Sequence, residues 1–64
     1  MRLFDILEFV DYEQIIDIDT SEGTIRYRNK EDIPFFMLTC EVARNGIYTI
    51  SQEILGIQLK EITL

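Results

Sequence analysis

Seven carboxylates, Asp5, Glu8, Asp11, Glu13, Asp17, Asp19 and Glu22, occupy one short stretch that holds no basic residue, and Arg26, Arg28 and Lys30 follow in alternation. Carboxylates at this density can perform acid/base catalysis as a pair, ligate a hard cation, or capture a basic surface. Asp17 and Asp19 test the first. Two apart on a strand, they share a face at roughly 6 to 7 Å, a separation that glycoside hydrolysis can use. Such chemistry needs a concave site that drives the two pKa values apart, whereas the pair is expected on an exposed hairpin opposite Arg26 and Arg28. We expect no enzyme activity.

Cation binding fails on spacing. Asp17-Ile18-Asp19-Thr20-Ser21-Glu22-Gly23 begins like a calcium loop, but an EF-hand requires glycine where Glu22 stands and a bidentate glutamate where Arg28 stands. It also needs a helix on either side. The chain has no histidine and a single cysteine, Cys40, which removes catalytic triads, Cys-His pairs and zinc sites of the CxxC type. Gly23, Gly46 and Gly56 are too far apart to form a phosphate-binding loop. No cofactor or metal is expected.

Capture of a basic surface remains. The net charge of −6 argues against direct binding of nucleic acid or of anionic membrane, both of which call for a basic face. It favours proteins with basic surfaces, although acidity also serves solubility alone. Asp5 and Glu8 interrupt any signal-peptide pattern, and the longest uncharged apolar run, Ile33 to Leu38, is far below the roughly 20 residues that span a bilayer. The expectation is a soluble protein of the cytoplasm.

The elements that must position these residues follow from periodicity. Leu3, Ile6, Leu7 and Val10 predict an amphipathic helix from about Arg2 to Val10, with Asp5 near its N-terminus and within reach of Arg2. It is too short to persist without a sheet to dock on. Ile16 and Ile18 alternate with Asp17 and Asp19, and Ile25 and Tyr27 with Arg26 and Arg28, which predicts two strands. A four-residue loop, Thr20 to Gly23, sets Ile18 against Ile25 and Asp17 against Arg26, so that both faces match.

Beyond a polar connection at Asn29 to Asp32, Ile33-Pro34 suits a helix start. Phe35, Phe36, Met37 and Leu38 then read as core, with Phe35 or Phe36 left to solvent or a partner. Strands are expected at Glu41 to Arg44, Ile47 to Ser51 and Ile54 to Leu59, the first two joined by an Asn45-Gly46 turn. Gly56 marks a bulge or a close backbone approach. Ile62 and Leu64 break the parity of the last strand and suggest a bulge or a tail docked on another subunit.

The resulting fold class is α+β: one short N-terminal helix packed on an antiparallel sheet of four to five strands, in a single domain, residues 1–64. The expected core is Leu3, Ile6, Leu7, Val10, Ile16, Ile18, Ile25, Tyr27, Tyr48, Ile50, Leu55, Ile57 and Leu59. A chain this small buries only about 60% of its unfolded surface. Without disulfides or metal to supplement that core, self-association into a homodimer or other homo-oligomer is expected. Cys40 reads as a small buried hydrophobe suited to a reducing compartment.

Several segments together carry a family likeness: Asp5-Ile6-Leu7, the isoleucine/aspartate strand, the Glu-Gly turn, Ile25-Arg26-Tyr27, Asp32-Ile33-Pro34 and the terminal strand. In them the chain resembles small acidic uncharacterised proteins encoded by phages and mobile elements of Gram-positive bacteria. The resemblance implies a host bacterial cell and an anti-defence context, with no site residues to carry over.

The expected function is therefore a non-enzymatic phage or mobile-element protein, an anti-defence inhibitor of the anti-CRISPR or anti-restriction kind. It would bind a basic surface of a host protein through Glu8, Asp11, Glu13 and Glu22, with Tyr12, Phe35 and Phe36 as aromatic anchors. Two alternatives stand beside it. An oligomeric sponge would sequester a small signalling nucleotide through Arg26, Arg28, Lys30 and Arg44. A structural or assembly module would do neither.

Overall fold

The isoleucines that alternate with aspartate lie at the centre of the sheet. A computed structural model of the chain describes residues 1–60. Its elements are α1 (Leu3–Leu7), β1 (Ile15–Thr20), β2 (Gly23–Tyr27), a 3-10 turn at Lys30–Asp32, α2 (Phe35–Leu38), β3 (Val42–Thr49) and β4 (Ile54–Leu59). The four strands form one sheet in the order β2-β1-β4-β3. Both helices cover one face of it.

Register explains the packing. Ile47 opposes Ile57, Ile57 opposes Ile18, and Ile18 opposes Ile25, so a row of four isoleucines crosses every strand. The two inner members, Ile57 and Ile18, are completely buried. Leu3, Ile6 and Leu7 of α1 close over them together with Ile33, Met37, Ile16 and Leu59. On the opposite face the matching row is Tyr48, Gly56, Asp17 and Arg26.

The α+β class and the four strands agree with expectation, but the sheet is mixed and not antiparallel throughout. β1 and β4 run parallel, with Ile15 beside Ile54 and Asp19 beside Gln58. Alternation tells which face of a strand is buried and carries no information about direction, because the period of two reads the same both ways. The helical layer is also shared between two elements. Pro34 precedes α2, and Met37 turns inward while Phe35 and Phe36 remain exposed.

α1 is shorter than its apolar spacing suggests and ends at Leu7. The Asp5 carboxylate accepts the Arg2 backbone N–H at 3.1 Å, while the Arg2 guanidinium donates to the Thr39 carbonyl at 2.7 Å. Arg2 thus ties the start of α1 to the end of α2.

Asn45-Gly46 does not turn the chain. Val42 pairs with Leu59 and Ile47 with Ile57, so five steps along β3 match two along β4 and the surplus residues bulge out. Asn45 takes the left-handed conformation this requires, at φ 59°. A Cβ on Gly46 would come within 2.6 Å of the Gln58 carbonyl oxygen. The actual hairpin connection lies at Ile50 to Ile54, where Ile50 N–H donates to the Ile54 carbonyl at 3.0 Å.

The bulge accounts for two errors in the expected core. Ile47 becomes the inward residue, so Tyr48 is carried to the opposite face and Ile50 lies 47% exposed beyond the end of β3. Ile25 faces the core but stands on the edge strand, 43% exposed. Val10, Tyr27 and Leu55 pack against the core without being buried, while Ile33 is a member that expectation omitted and Met37 is the buried residue of the Phe35-to-Leu38 cluster. The proposed bulge or docking tail at Ile62 and Leu64 lies outside the described residues.

Gly56 serves a close approach, though to a side chain. The Tyr48 ring lies across it, and a Cβ there would meet the ring itself. Gly56→Ala should cost about 1–2 kcal/mol by overpacking, read as a shift in the urea midpoint. In a Tyr48→Ala background the same change should cost markedly less, since the two residues share one space.

Candidate functional site

The acidic residues near the N-terminus occupy the connection from α1 to β1, and one lysine organises it. Lys30 Nζ donates to the carbonyls of Leu7 and Val10, each at 2.7 Å, and the Leu7 carbonyl also accepts the Val10 N–H at 3.1 Å, so the ammonium closes the turn that follows α1. Its ammonium also stands 4.5 Å from the centre of the Tyr12 ring, within cation–π range. At the far end of the connection, Gln14 Nε2 donates to the Glu53 carbonyl at 2.6 Å. The loop is thereby fastened to the 3-10 turn at one end and to the start of β4 at the other.

Glu8, Asp11 and Glu13 are exposed on this fastened loop, and Tyr12 is 57% exposed among them. Tyr12 separates two depressions. One, of about 270 Å³, is lined by Phe4, Glu8, Lys30 and Glu31 among others; the second, of about 630 Å³, is bordered by Asp11, Glu13, Gln52 and Glu53. Phe9 adds an apolar side chain that is 91% exposed. Glu31, Glu53 and Phe9 thus belong to this surface although sequence reasoning did not select them. Glu53 is placed there by the parallel β1–β4 pairing, and Glu31 by the 3-10 turn that Asn29 caps through a 2.8 Å bond from Glu31 N–H.

Glu22 lies elsewhere. It sits in the β1–β2 connection, at the opposite end of six-residue β1 from Glu13, a separation of roughly 20 Å by strand rise. It shares a groove of about 290 Å³ with Ile25, Phe36 and Met37. Phe35, 78% exposed, precedes Phe36 on α2. The candidate residues therefore form two places: Glu8, Asp11, Tyr12 and Glu13 at one end of the sheet, Glu22 and Phe36 at the other.

The remaining carboxylates of the opening cluster are engaged by their neighbours. Arg26 grips Asp17 with two parallel bonds, Nε at 2.8 Å and Nη2 at 3.0 Å, and Asp17 is only 5% exposed. Asp19 faces Thr24 and not Arg28; it accepts the Thr24 hydroxyl at 2.5 Å and the Tyr48 hydroxyl from across the sheet. The bond to Asp19 raises the Tyr48 phenol above its ordinary pKa. Asp17 is spent on Arg26, and Asp19 borders only a small depression of about 230 Å³ with Thr20, Ser21, Gln58 and Leu59.

The Arg26 bond holds the Asp17 carboxyl below the usual carboxylate range, against the opposing effect of burial. A carboxylate depressed in the folded state adds stability above its unfolded pKa of about 3.9 and loses it as pH falls through the folded value. Arg26→Met removes the depressing partner and leaves burial, which acts in the opposite direction. The variant should be clearly less stable than the parent at pH 7, and the gap should close as the pH falls below about 4. Urea midpoints across that range are the measurement.

Among the described residues, no group of three or more His, Cys, Asp and Glu side chains is arranged to hold a metal ion. Cys40 is a half-buried free thiol whose Sγ donates to the Phe36 carbonyl at 3.2 Å. No helix of the described residues is long and apolar enough to cross a membrane. Comparison with known proteins gives no match to a family model, to a curated protein or to a solved structure.

Proposed function

We propose that the chain is a non-enzymatic anti-defence inhibitor, encoded by a phage or mobile element, that binds a basic surface of a host protein in the cytoplasm. The observation that carries this reading is the fastened loop: Glu8, Asp11 and Glu13 exposed around Tyr12, whose ring is held by Lys30. Rigid carboxylates compete with phosphates for lysine and arginine without the entropy cost of ordering a flexible loop. Tyr12 and Phe9 supply apolar area next to the charge, and it is such anchors that set affinity while charge sets encounter rate.

The nucleotide-sponge alternative has less support. Of its four basic residues, Arg26 is committed to Asp17 and Lys30 to the Leu7 and Val10 carbonyls.

Affinity capture from a host lysate at low and at high salt tests the reading. A partner held at low salt should be released as salt rises, because exposed charge pairs are screened. The triple variant Glu8→Lys/Asp11→Lys/Glu13→Lys should bind that partner at least about tenfold more weakly. A partner retained equally by the variant, or inhibition of the host system that the variant leaves intact, would sink the proposal.

A further inference from the structure

The sheet ends in two unlike edges. On the β3 side the three-residue surplus at Ala43 to Gly46 breaks the ladder, and the N-terminal backbone already pairs there, with Val42 N–H donating to the Met1 carbonyl at 2.8 Å. Bulges and covering segments are the usual protection of an edge strand. β2 has neither. Its five residues keep unbroken register with β1, contain no proline, and are exposed at Gly23, Thr24, Ile25 and Arg26. In an antiparallel ladder every second residue of such a strand points its N–H and C=O away from the sheet, ready to pair.

We propose that a second copy of this chain pairs antiparallel with β2, about a two-fold axis at Ile25. The register is selected by the side chains. An axis at Arg26 would set the two Arg26 side chains against each other, a like-charge pair that destabilises. An axis at Ile25 sets Ile25 beside Ile25 of the other copy, Thr24 opposite Arg26, Gly23 opposite Tyr27, and Glu22 opposite Arg28. The last pair joins opposite charges twice over, since the contact is repeated by symmetry. Among the described residues, neither Glu22 nor Arg28 makes an ion pair within its own chain.

Two further observations fit this occupant. The isoleucine row is buried at Ile57 and Ile18 but ends half exposed at Ile25, with the groove of about 290 Å³ open between Ile25, Phe36 and Met37. Pairing at Ile25 continues the row into the other copy, where it runs through that copy's Ile25, Ile18 and Ile57. Gly23 adopts a φ of 132° with nothing within 4 Å of its Cβ position, which leaves room for the larger Tyr27 side chain opposite. The product is a continuous eight-stranded sheet with all helices on one face, which adds to the limited burial that a chain of this size can achieve alone.

Sedimentation equilibrium over a concentration series provides the test. The parent chain should approach twice its 7.6 kDa mass. Arg28→Glu and Glu22→Arg each convert two attractions into repulsions and should weaken the dimer by about tenfold. The combined Glu22→Arg/Arg28→Glu variant, with attraction restored in the opposite sense, should recover parental affinity to within about twofold. Both positions of substitution are exposed, and circular dichroism verifies that each of the three variants is folded. A parent that stays monomeric throughout, single variants that dimerise like the parent, or a double variant no better than either single one would each overturn the proposal.

Discussion

Ile18→Ala should destabilise the fold by about 3–4 kcal/mol, within the range for deleting a buried branched side chain and leaving a cavity. Ile18 is completely buried, pairs with Ile25 on one side and Ile57 on the other, and lies under Leu3 and its neighbours from α1. For a chain of this length the whole folding free energy is only about 3–10 kcal/mol. The loss translates to a fall in Tm of at least about 12 °C and leaves a substantial unfolded fraction at physiological temperature. Ile47→Ala provides the contrast. It occupies the same row but is 48% exposed at the outer end, and should cost about 1 kcal/mol or less. Thermal melts followed by circular dichroism separate the two; equal losses would contradict a core centred on β1 and β4.

Lys30→Met should cost about 3 kcal/mol, an effect unusual for a residue that reads as a surface charge. Methionine retains the aliphatic reach of lysine but removes both 2.7 Å bonds to the Leu7 and Val10 carbonyls. Bonds from a charged donor contribute about 1.5–3 kcal/mol each, partly offset here by the Val10 N–H that the Leu7 carbonyl keeps and by water that can reach the Val10 carbonyl. The change also releases the Tyr12 ring. Amide exchange should therefore quicken first in residues 8–13, ahead of the sheet. Lys30→Arg should rescue only in part, because a planar guanidinium cannot direct its donors as the compact ammonium does. If binding to the host partner survives Lys30→Met unchanged while the loop loosens, rigidity of the loop is not what the partner reads.

The hairpin was readable from the sequence residue by residue. Ile16, Ile18, Ile25 and Tyr27 alternate with charged side chains, and only one register of the Thr20-to-Gly23 connection matches both faces; it is the register found, with Thr20 against Gly23. The parallel pairing of β1 with β4 was not readable. It joins segments nearly forty residues apart, and no local pattern specifies which strand lies beside which. Asn45-Gly46 misled for a physical reason: the left-handed conformation that suits a two-residue hairpin also suits a bulge. That one substitution of bulge for turn displaced Tyr48 and Ile50 from the expected core.

The candidate site was legible as composition and obscure as geometry. Glu8, Asp11, Tyr12 and Glu13 are consecutive enough in the chain to meet wherever it folds. Glu22 was grouped with them by charge alone, and β1 holds it at the other end of the molecule. Lys30 was expected in a polar connection, as the last of three alternating basic residues; the 3-10 turn there brings it against the end of α1. An isolated lysine opposite the end of a short helix that has no basic residue in its last turn was the available signal.

The order of the strands also bears on how the chain reaches this state. β1 is central, yet its second neighbour is β4, which emerges after the other three strands of the described residues. Until residue 59 has been made, β1 and β2 exist as an isolated hairpin, which is marginal in water and has one side of β1 as well as β2 unpaired. Closing the long loop between β1 and β4 must precede most of the energy gained from the isoleucine row, a topology that slows folding. The nascent chain is thus committed to a single late, all-or-none collapse, and no shorter N-terminal fragment should hold a native half.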